Sequence, residues 1–420
     1  MSYPKYLYAI LLLALMWSGC LKRSESPTAI STTKPFKTGD LVSALNADSS
    51  AGLFRRAFSR LDLGSQLDSA RNYTVFAPYD SAMTAAGLTA AVIDALPIDS
   101  LRKLITYQIV SGTFSETALT NTVTSQQLQT LRQDTVIGHL SPSSISSHML
   151  YAKEQDALYF NGVTTPWHGP ATEASNGYLY DVGRVFIPLP SAGTLYDVIH
   201  SQPDLTLFDA ALQLADSLMD VGFQQTFFGG PYYDPNELLI YFLSHPLPGS
   251  MPGMAPTILA PTNKAFNDAG FYTVDDIRQY TNQVYTGIDQ NTYLLWYFPP
   301  IDSVVARHIL INTNSARQNN TFTTWLFYND LMSPEINNGV FNTYIGPTGV
   351  DMAAPFLILR FPTSLQFSER NGMAYVQWNK DPNSAVPIPR DADPAVPVNN
   401  FNTINGSLFK IDKLFYPLNF

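Results

Sequence analysis

Residues 73–88 read YTVFAPYDSAMTAAGL, and residues 256–271 read PTILAPTNKAFNDAGF. The two lie over one another without a gap. Thr74, Ala77, Pro78, Ala82, Ala86 and Gly87 reappear as Thr257, Ala260, Pro261, Ala265, Ala269 and Gly270. A self-match at this separation makes the chain a tandem repeat before any fold is named. Thr74-Val75-Phe76-Ala77 is β-branched and aromatic, the signature of a buried strand. Pro78 lacks the donor needed to extend a ladder, so the strand stops there. Asp80, or Asn263 in the second copy, offers a short polar side chain to cap the helix that follows. Ala82, Met83 and Ala86 face inward on that helix, as do Ala265, Phe266 and Ala269. Gly87 and Gly270 stand where a helix ends on a left-handed residue.

Two further blocks recur. Residues 176–189 (NGYLYDVGRVFIPL) match residues 405–418 (NGSLFKIDKLFYPL), again without a gap. Asn-Gly marks a tight turn, and the alternating apolar residues after it mark a strand. Leu41, Leu45 and Phe54 share their spacing with Leu195, Ile199 and Phe208.

These blocks resemble the fasciclin family, the FAS1 domain. The first is similar to its T-V-F-A-P-T-N-x-A-F motif, and the second to its closing V-I-D-x-V-L-L-P type strand. The resemblance implies an α+β fold of two tandem FAS1-like domains, each a compact mixed β-sheet wedge or sandwich with several helices. The expected bounds are 38–190 and 194–420, joined by the very short Ser191–Gly193 linker. The family often carries a Tyr-His pair on one helix, linked in animal members to receptor contact. Here Gln108 follows Tyr107, so that role does not transfer to the first domain, and Tyr107 reads as packing. In the second domain the matching positions are Arg307 and His308.

Within the first domain, residues 50–61 read as a helix with Leu53, Phe54, Ala57 and Phe58 on one face. Ser100 is expected to cap a helix carrying Leu101, Leu104, Ile105 and Ile109. Residues 126–160 read as short strands and polar loops. The second domain is larger. From Leu195 to Thr257 is 62 positions against 33 from Leu41 to Thr74, and from Pro261 to Asn405 is 144 against 98 from Pro78 to Asn176. The surplus is expected as loop insertions at about 222–256 and 312–402. Both are rich in Gly, Pro and aromatic residues, and loops carry function more readily than scaffold does. Trp325, Tyr328, Tyr344, Trp378, Arg307 and His308 are therefore the candidate partner-binding residues. The plain alternative is that the rings are packing and that His308 is a capped or solvated helix residue.

Residues 1–20 read as a targeting segment. Lys5 supplies the positive end, Tyr6–Met16 the apolar run, and Ser18-Gly19 precede Cys20, the only cysteine in the 420 residues. This resembles a bacterial lipoprotein signal, with Cys20 as the lipid attachment. The Ser-, Thr- and Pro-rich residues 21–37 read as a flexible tether. The implied location is the cell envelope, lipid-anchored at the outer membrane and facing either the periplasm or the outside.

A net charge of −10 argues against a nucleic-acid partner, which needs a basic face. Apolar residues make up 45% and charged ones 14%, which places the chain among globular proteins. Neither a nucleophile elbow, a phosphate loop nor a zinc-binding H-E-x-x-H pattern occurs. Asp381, Asp391 and Asp393 lie outside any calcium-loop pattern. The expectation is a non-catalytic protein without metal or cofactor. Two functions fit. One is a surface adhesion or interaction protein with a protein or glycan partner. The other is a glycan-binding accessory lipoprotein of a polysaccharide-uptake system, suggested by the 13% aromatic content.

Overall fold

The computed structural model describes residues 39–416, except 68–70, 123, 139–140, 155–156, 168, 190–192, 228–238, 245–254, 283–299, 311–324, 334–335, 337–339, 344–362, 379–380 and 393–396. Cys20, the tether and Tyr344 lie outside the described residues, as does most of 222–256.

In the first repeat the strands are β1 (Tyr73–Pro78), β2 (Ile109–Ser111), β3 (Gln126–Gly138), β4 (Ser141–Glu154), β5 (Leu158–Phe160), β6 (Val163–Thr165), β7 (Thr172–Ala174) and β8 (Gly177–Val182). The helices are α1 (Leu41–Ala47), α2 (Gly52–Arg60), α3 (Leu63–Gln66), α4 (Asp80–Ala85), α5 (Ala90–Ala95), α6 (Ile98–Thr106) and α7 (Glu116–Thr120). In the second repeat the strands are β9 (Thr257–Pro261), β10 (Ile309–Leu310), β11 (Val340–Thr343), β12 (Thr363–Arg370), β13 (Met373–Trp378), β14 (Val386–Ile388), β15 (Asn400–Asn402) and β16 (Ser407–Ile411). Its helices are α8 (Leu195–Ser201), α9 (Thr206–Phe227), α10 (Leu239–Ser244), α11 (Asn263–Asp268), α12 (Val274–Thr281), α13 (Pro300–Ala306) and α14 (Tyr328–Leu331).

The two sheets have one topology. The first runs β6-β5-β4-β3-β2-β1-β8-β7 and the second β14-β13-β12-β11-β10-β9-β16-β15. β1 pairs parallel with β8, Tyr73 opposite Gly177, and β9 pairs parallel with β16, Thr257 opposite Ser407. The paired strands are the two repeated blocks. Every residue of β1 and β9 is buried, because each strand has a core on both faces. On one face Val75 and Ala77 meet Leu41, Phe54, Ile93 and Ile105 of the helices. On the other, Phe76 lies 4.7 Å from Phe160, 5.1 Å from Tyr180 and 5.7 Å from Phe186, ring centroid to centroid. The second repeat repeats the split, with Ile258 and Ala260 toward its helices and Leu259 toward Phe367 and Phe409.

The repeated polar residues act at a distance rather than locally. Asp80 does not cap its own helix, whose N-cap is Tyr79. Its Oδ1 instead accepts from Leu53 N at 2.6 Å, at the start of α2. Asn263 does the same for Leu207 N of α9 at 2.9 Å, while Thr262 caps α11. Asn176 Oδ1 accepts from Leu41 N (2.8 Å) and Asn405 Oδ1 from Leu195 N (2.9 Å), so each Asn-Gly turn also closes the first helix onto the sheet. Gly177 must be glycine, since a Cβ there would stand 1.7 Å from Tyr73 O.

Three local expectations are corrected. Ser100 lies inside α6, whose N-cap is Pro97, and Ile109 belongs to β2. The segment 126–160 contains two long strands, of 13 and 14 residues, before the short β5. The segment 312–402 is not a loop insertion: it holds β11 to β15, counterparts of β3 to β7. The strands within it belong to the scaffold that both repeats share.

Candidate functional site

The candidate residues divide between a helix end and the seam between the repeats. α13 ends at Ala306, and Arg307 and His308 follow. His308 is fully buried. Its Nδ1 lies 2.7 Å from Val304 O, its Nε2 accepts from Phe415 N at 3.1 Å, and its ring stacks on Phe415 at 5.1 Å. That pattern places the proton on Nδ1. Burial pushes the imidazole down to about 4, opposed by its backbone hydrogen bonds and aided by Arg307, so it is neutral at pH 7. His308 thus ties its helix to the closing strand block and offers no face to a partner.

The first repeat does the same with an amide. Gln108 Nε2 donates to Leu104 O (3.2 Å) and Phe186 O (2.8 Å), and its Oε1 accepts from Phe186 N (3.0 Å). Leu104 and Val304 are both four residues back, and Phe186 and Phe415 match in the repeated block. The glutamine therefore reproduces both bonds of the histidine it aligns with and adds a second donated bond, to Phe186 O. Tyr107 is buried, its hydroxyl accepting from Asn161 Nδ2 at 3.0 Å.

The aromatic candidates are buried as well. Trp378 ends β13 and is 9% exposed, with the Arg307 guanidinium 4.9 Å above its ring. Burial lowers that guanidinium to about 10. Tyr328 is 9% exposed, and its hydroxyl donates to Ile388 O (3.1 Å) and accepts from Ala374 N (3.2 Å). Trp325 is 6% exposed and stacks on Phe327 at 6.2 Å, in a cluster with Ala255 and Leu189. The expectation that these rings form an exposed binding surface is corrected. Each fills a gap in a core or at the seam, where burial of a large ring contributes most.

The seam rests on residues the sequence did not single out. Asp330 of α14 is fully buried. Its Oδ1 accepts from Ser125 N (2.8 Å) and Ser125 Oγ (2.9 Å), and its Oδ2 from Phe327 N (2.9 Å). Phe327 also packs on Gly162, where a Cβ would come within 2.9 Å of its ring. Ser125 and Asp330 stand 205 positions apart, so no local pattern could have paired them. Residues 38–420 form one compact unit.

Among the described residues no group of three or more His, Cys, Asp and Glu could hold a metal, and no helix is long and apolar enough to cross a membrane. The large apolar side chains left most exposed are Ile187, Tyr272 and Val398, at 72%, 68% and 57%.

Residues 50–188 match the family described as Fasciclin domain. No curated protein matches the chain. Among solved structures, the chain is similar to a FAS1 domain pair from the insect cell adhesion molecule fasciclin I, at 13% identity and a TM-score of 0.30, over 87% of this chain and 96% of that one. Residues 50–188 thus carry a fasciclin domain, and the second sheet repeats the strand order of the sheet in that domain.

Proposed function

We propose that this chain is an envelope-anchored interaction protein that presents two fasciclin repeats, held as one body, to a protein or glycan partner. The observation that carries the reading is the seam. A fully buried carboxylate hydrogen-bonded across the repeats holds them together, so a partner meets one fixed surface rather than two beads on a string. Fasciclin domains are associated with cell adhesion and interaction, and the repeated polar residues are engaged in holding helices to sheets. Anchoring runs through lipidated Cys20, with residues 21–37 as the spacer. One acyl chain binds a membrane only marginally, so stable attachment needs a second chain.

The test is purification of the native protein from membranes beside Cys20→Ser. The expected result is an unaltered protein in the membrane fraction with a co-purifying envelope partner, and a variant in the soluble fraction. A variant that stays in the carbonate-washed pellet would sink the anchor. A glycan array on the purified protein addresses the second reading, a glycan-binding accessory of polysaccharide uptake. Specific glycan binding there would favour it over a protein partner.

A further inference from the structure

The two repeats solve one equivalent position in opposite ways. In the second, the Lys410 side chain on β16 is 5% exposed. Its Nζ donates to Asp204 Oδ1 (2.8 Å) and Oδ2 (3.0 Å) and to Gln202 Oε1 (2.9 Å), in the turn between α8 and α9. The repeat alignment puts Asp181 at the place of Lys410, Asp48 at that of Gln202 and Ser50 at that of Asp204. The backbone agrees: Asp80 N donates to Ser50 O at 2.8 Å as Asn263 N donates to Asp204 O at 2.7 Å. Where the second repeat has a cation among oxygens, the first has oxygens alone. The Asp48 and Asp181 carboxyls are in hydrogen-bonding contact. Asp48 Oδ2, Asp181 Oδ1 and Ser50 Oγ are shut off from solvent and have no donor. Two carboxylates so placed cannot both be charged without repulsion.

We propose that a proton shared between Asp48 and Asp181 fills the place of the Lys410 ammonium, so that the joint between the α1–α2 turn and β8 is a pH-operated clasp of the first repeat.

The groups around the pair leave that place to the proton. Arg55 of α2 is spent on backbone, its Nη1 donating to the carbonyls of Leu45, Asn46 and Asp48. Asp80 at the start of α4 holds Leu53 N, and Asp48 Oδ1 holds Ser50 N at 2.7 Å. On β7, Glu173 stands opposite Tyr178, three residues before Asp181. Among the described residues no basic side chain bonds either carboxyl. Burial first, then the charge and hydrogen bond of Asp48, raises the Asp181 carboxyl to about 7. The folded chain therefore keeps this proton at pH values where the unfolded chain has lost it. The clasp is fully present below the ordinary carboxylate range, and its stability is lost as pH rises through about 7.

Asp181→Asn tests this in the full chain, because its amide donates toward Asp48 at every pH. The readout is the melting temperature of wild type and variant at about pH 5 and about pH 8, on either side of the transition. The two are expected to melt together at the lower pH. At the higher pH the variant should melt above wild type by at least about 2 °C. His308 titrates in both proteins and cancels from the difference. Asp48→Asn should reproduce the gain from the other side of the pair. If both variants melt at or below wild type at the higher pH, the clasp is wrong. If millimolar calcium at that pH raises wild type to the level of Asp181→Asn, a metal ion and not a proton fills the place, and the proposal is overturned.

Discussion

Asp330→Ala removes the carboxylate on which the two repeats close. Four donors lose an acceptor: Ser125 N, Ser125 Oγ, Phe327 N and Asn329 Nδ2, at 2.8, 2.9, 2.9 and 3.3 Å. Asp330 is 0% exposed and Ser125 1%, so water does not replace the lost bonds without opening the seam. Each buried donor left unmatched costs about 1–3 kcal/mol, and relaxation of neighbours makes the sum less than additive. The expected loss is roughly 3–5 kcal/mol, in the range for removing one partner of a buried charged contact. Ser125→Ala takes away the hydroxyl alone and should cost about 1 kcal/mol. Urea unfolding followed by tryptophan fluorescence reads both, since Trp325 packs at the seam beside Leu189. Asp330→Ala should lower the midpoint and split the transition, and the connection at 190–193 should become cleavable by protease. A loss below about 1 kcal/mol with a single transition and no new cleavage would refute the seam as described.

Phe76→Ala should cost roughly 3–5 kcal/mol, because the ring is fully buried among Phe160, Tyr180 and Phe186; an unchanged melt would overturn the strand assignment. His308→Gln should be tolerated within about 1.5 kcal/mol, since Gln108 performs the same clamp in the first repeat, whereas His308→Ala should cost more than twice as much; equal losses would mean the hydrogen bonds do not matter. The depressed imidazole also sets a sign. The unfolded chain binds a proton below about pH 6.5 that the folded chain refuses until about 4, so this contribution is present above 6.5 and lost as pH falls toward 4, a slope that His308→Gln should abolish. Gly177→Ala should abolish folding of the first repeat, for its Cβ would overlap Tyr73 O, while Gly87→Ala, with nothing within 4 Å, should cost only about 1 kcal/mol for its positive φ. A soluble, fully folded Gly177→Ala would contradict the parallel β1–β8 pairing.

The repeat, the central strand of each sheet and the closing strand that pairs with it are legible in the sequence alone. These are local matters. A β-branched run ended by proline, and a glycine after a helix, are dictated by neighbours a few positions away, and their recurrence reports the same local physics twice. Gly87 and Gly270 accordingly take φ of +76° and +92° where a helix end was read. Where side chains look across long separations is set by the assembled fold. Asp80 and Asn263 read as caps of their own helices yet reach back 27 and 56 positions to another, because the strand ends they follow lie over those helix starts. Trp325, Tyr328 and Trp378 read as loop aromatics yet are buried, because β11 to β15 bring a second sheet wing around them and the first repeat closes against Trp325. Asp330 carried no signal at all, since its partner stands 205 positions away. Periodicity reports which face of an element is apolar. It cannot report what that face meets, because the choice between solvent, partner and a distant part of the same chain is made by the summed burial of the whole fold.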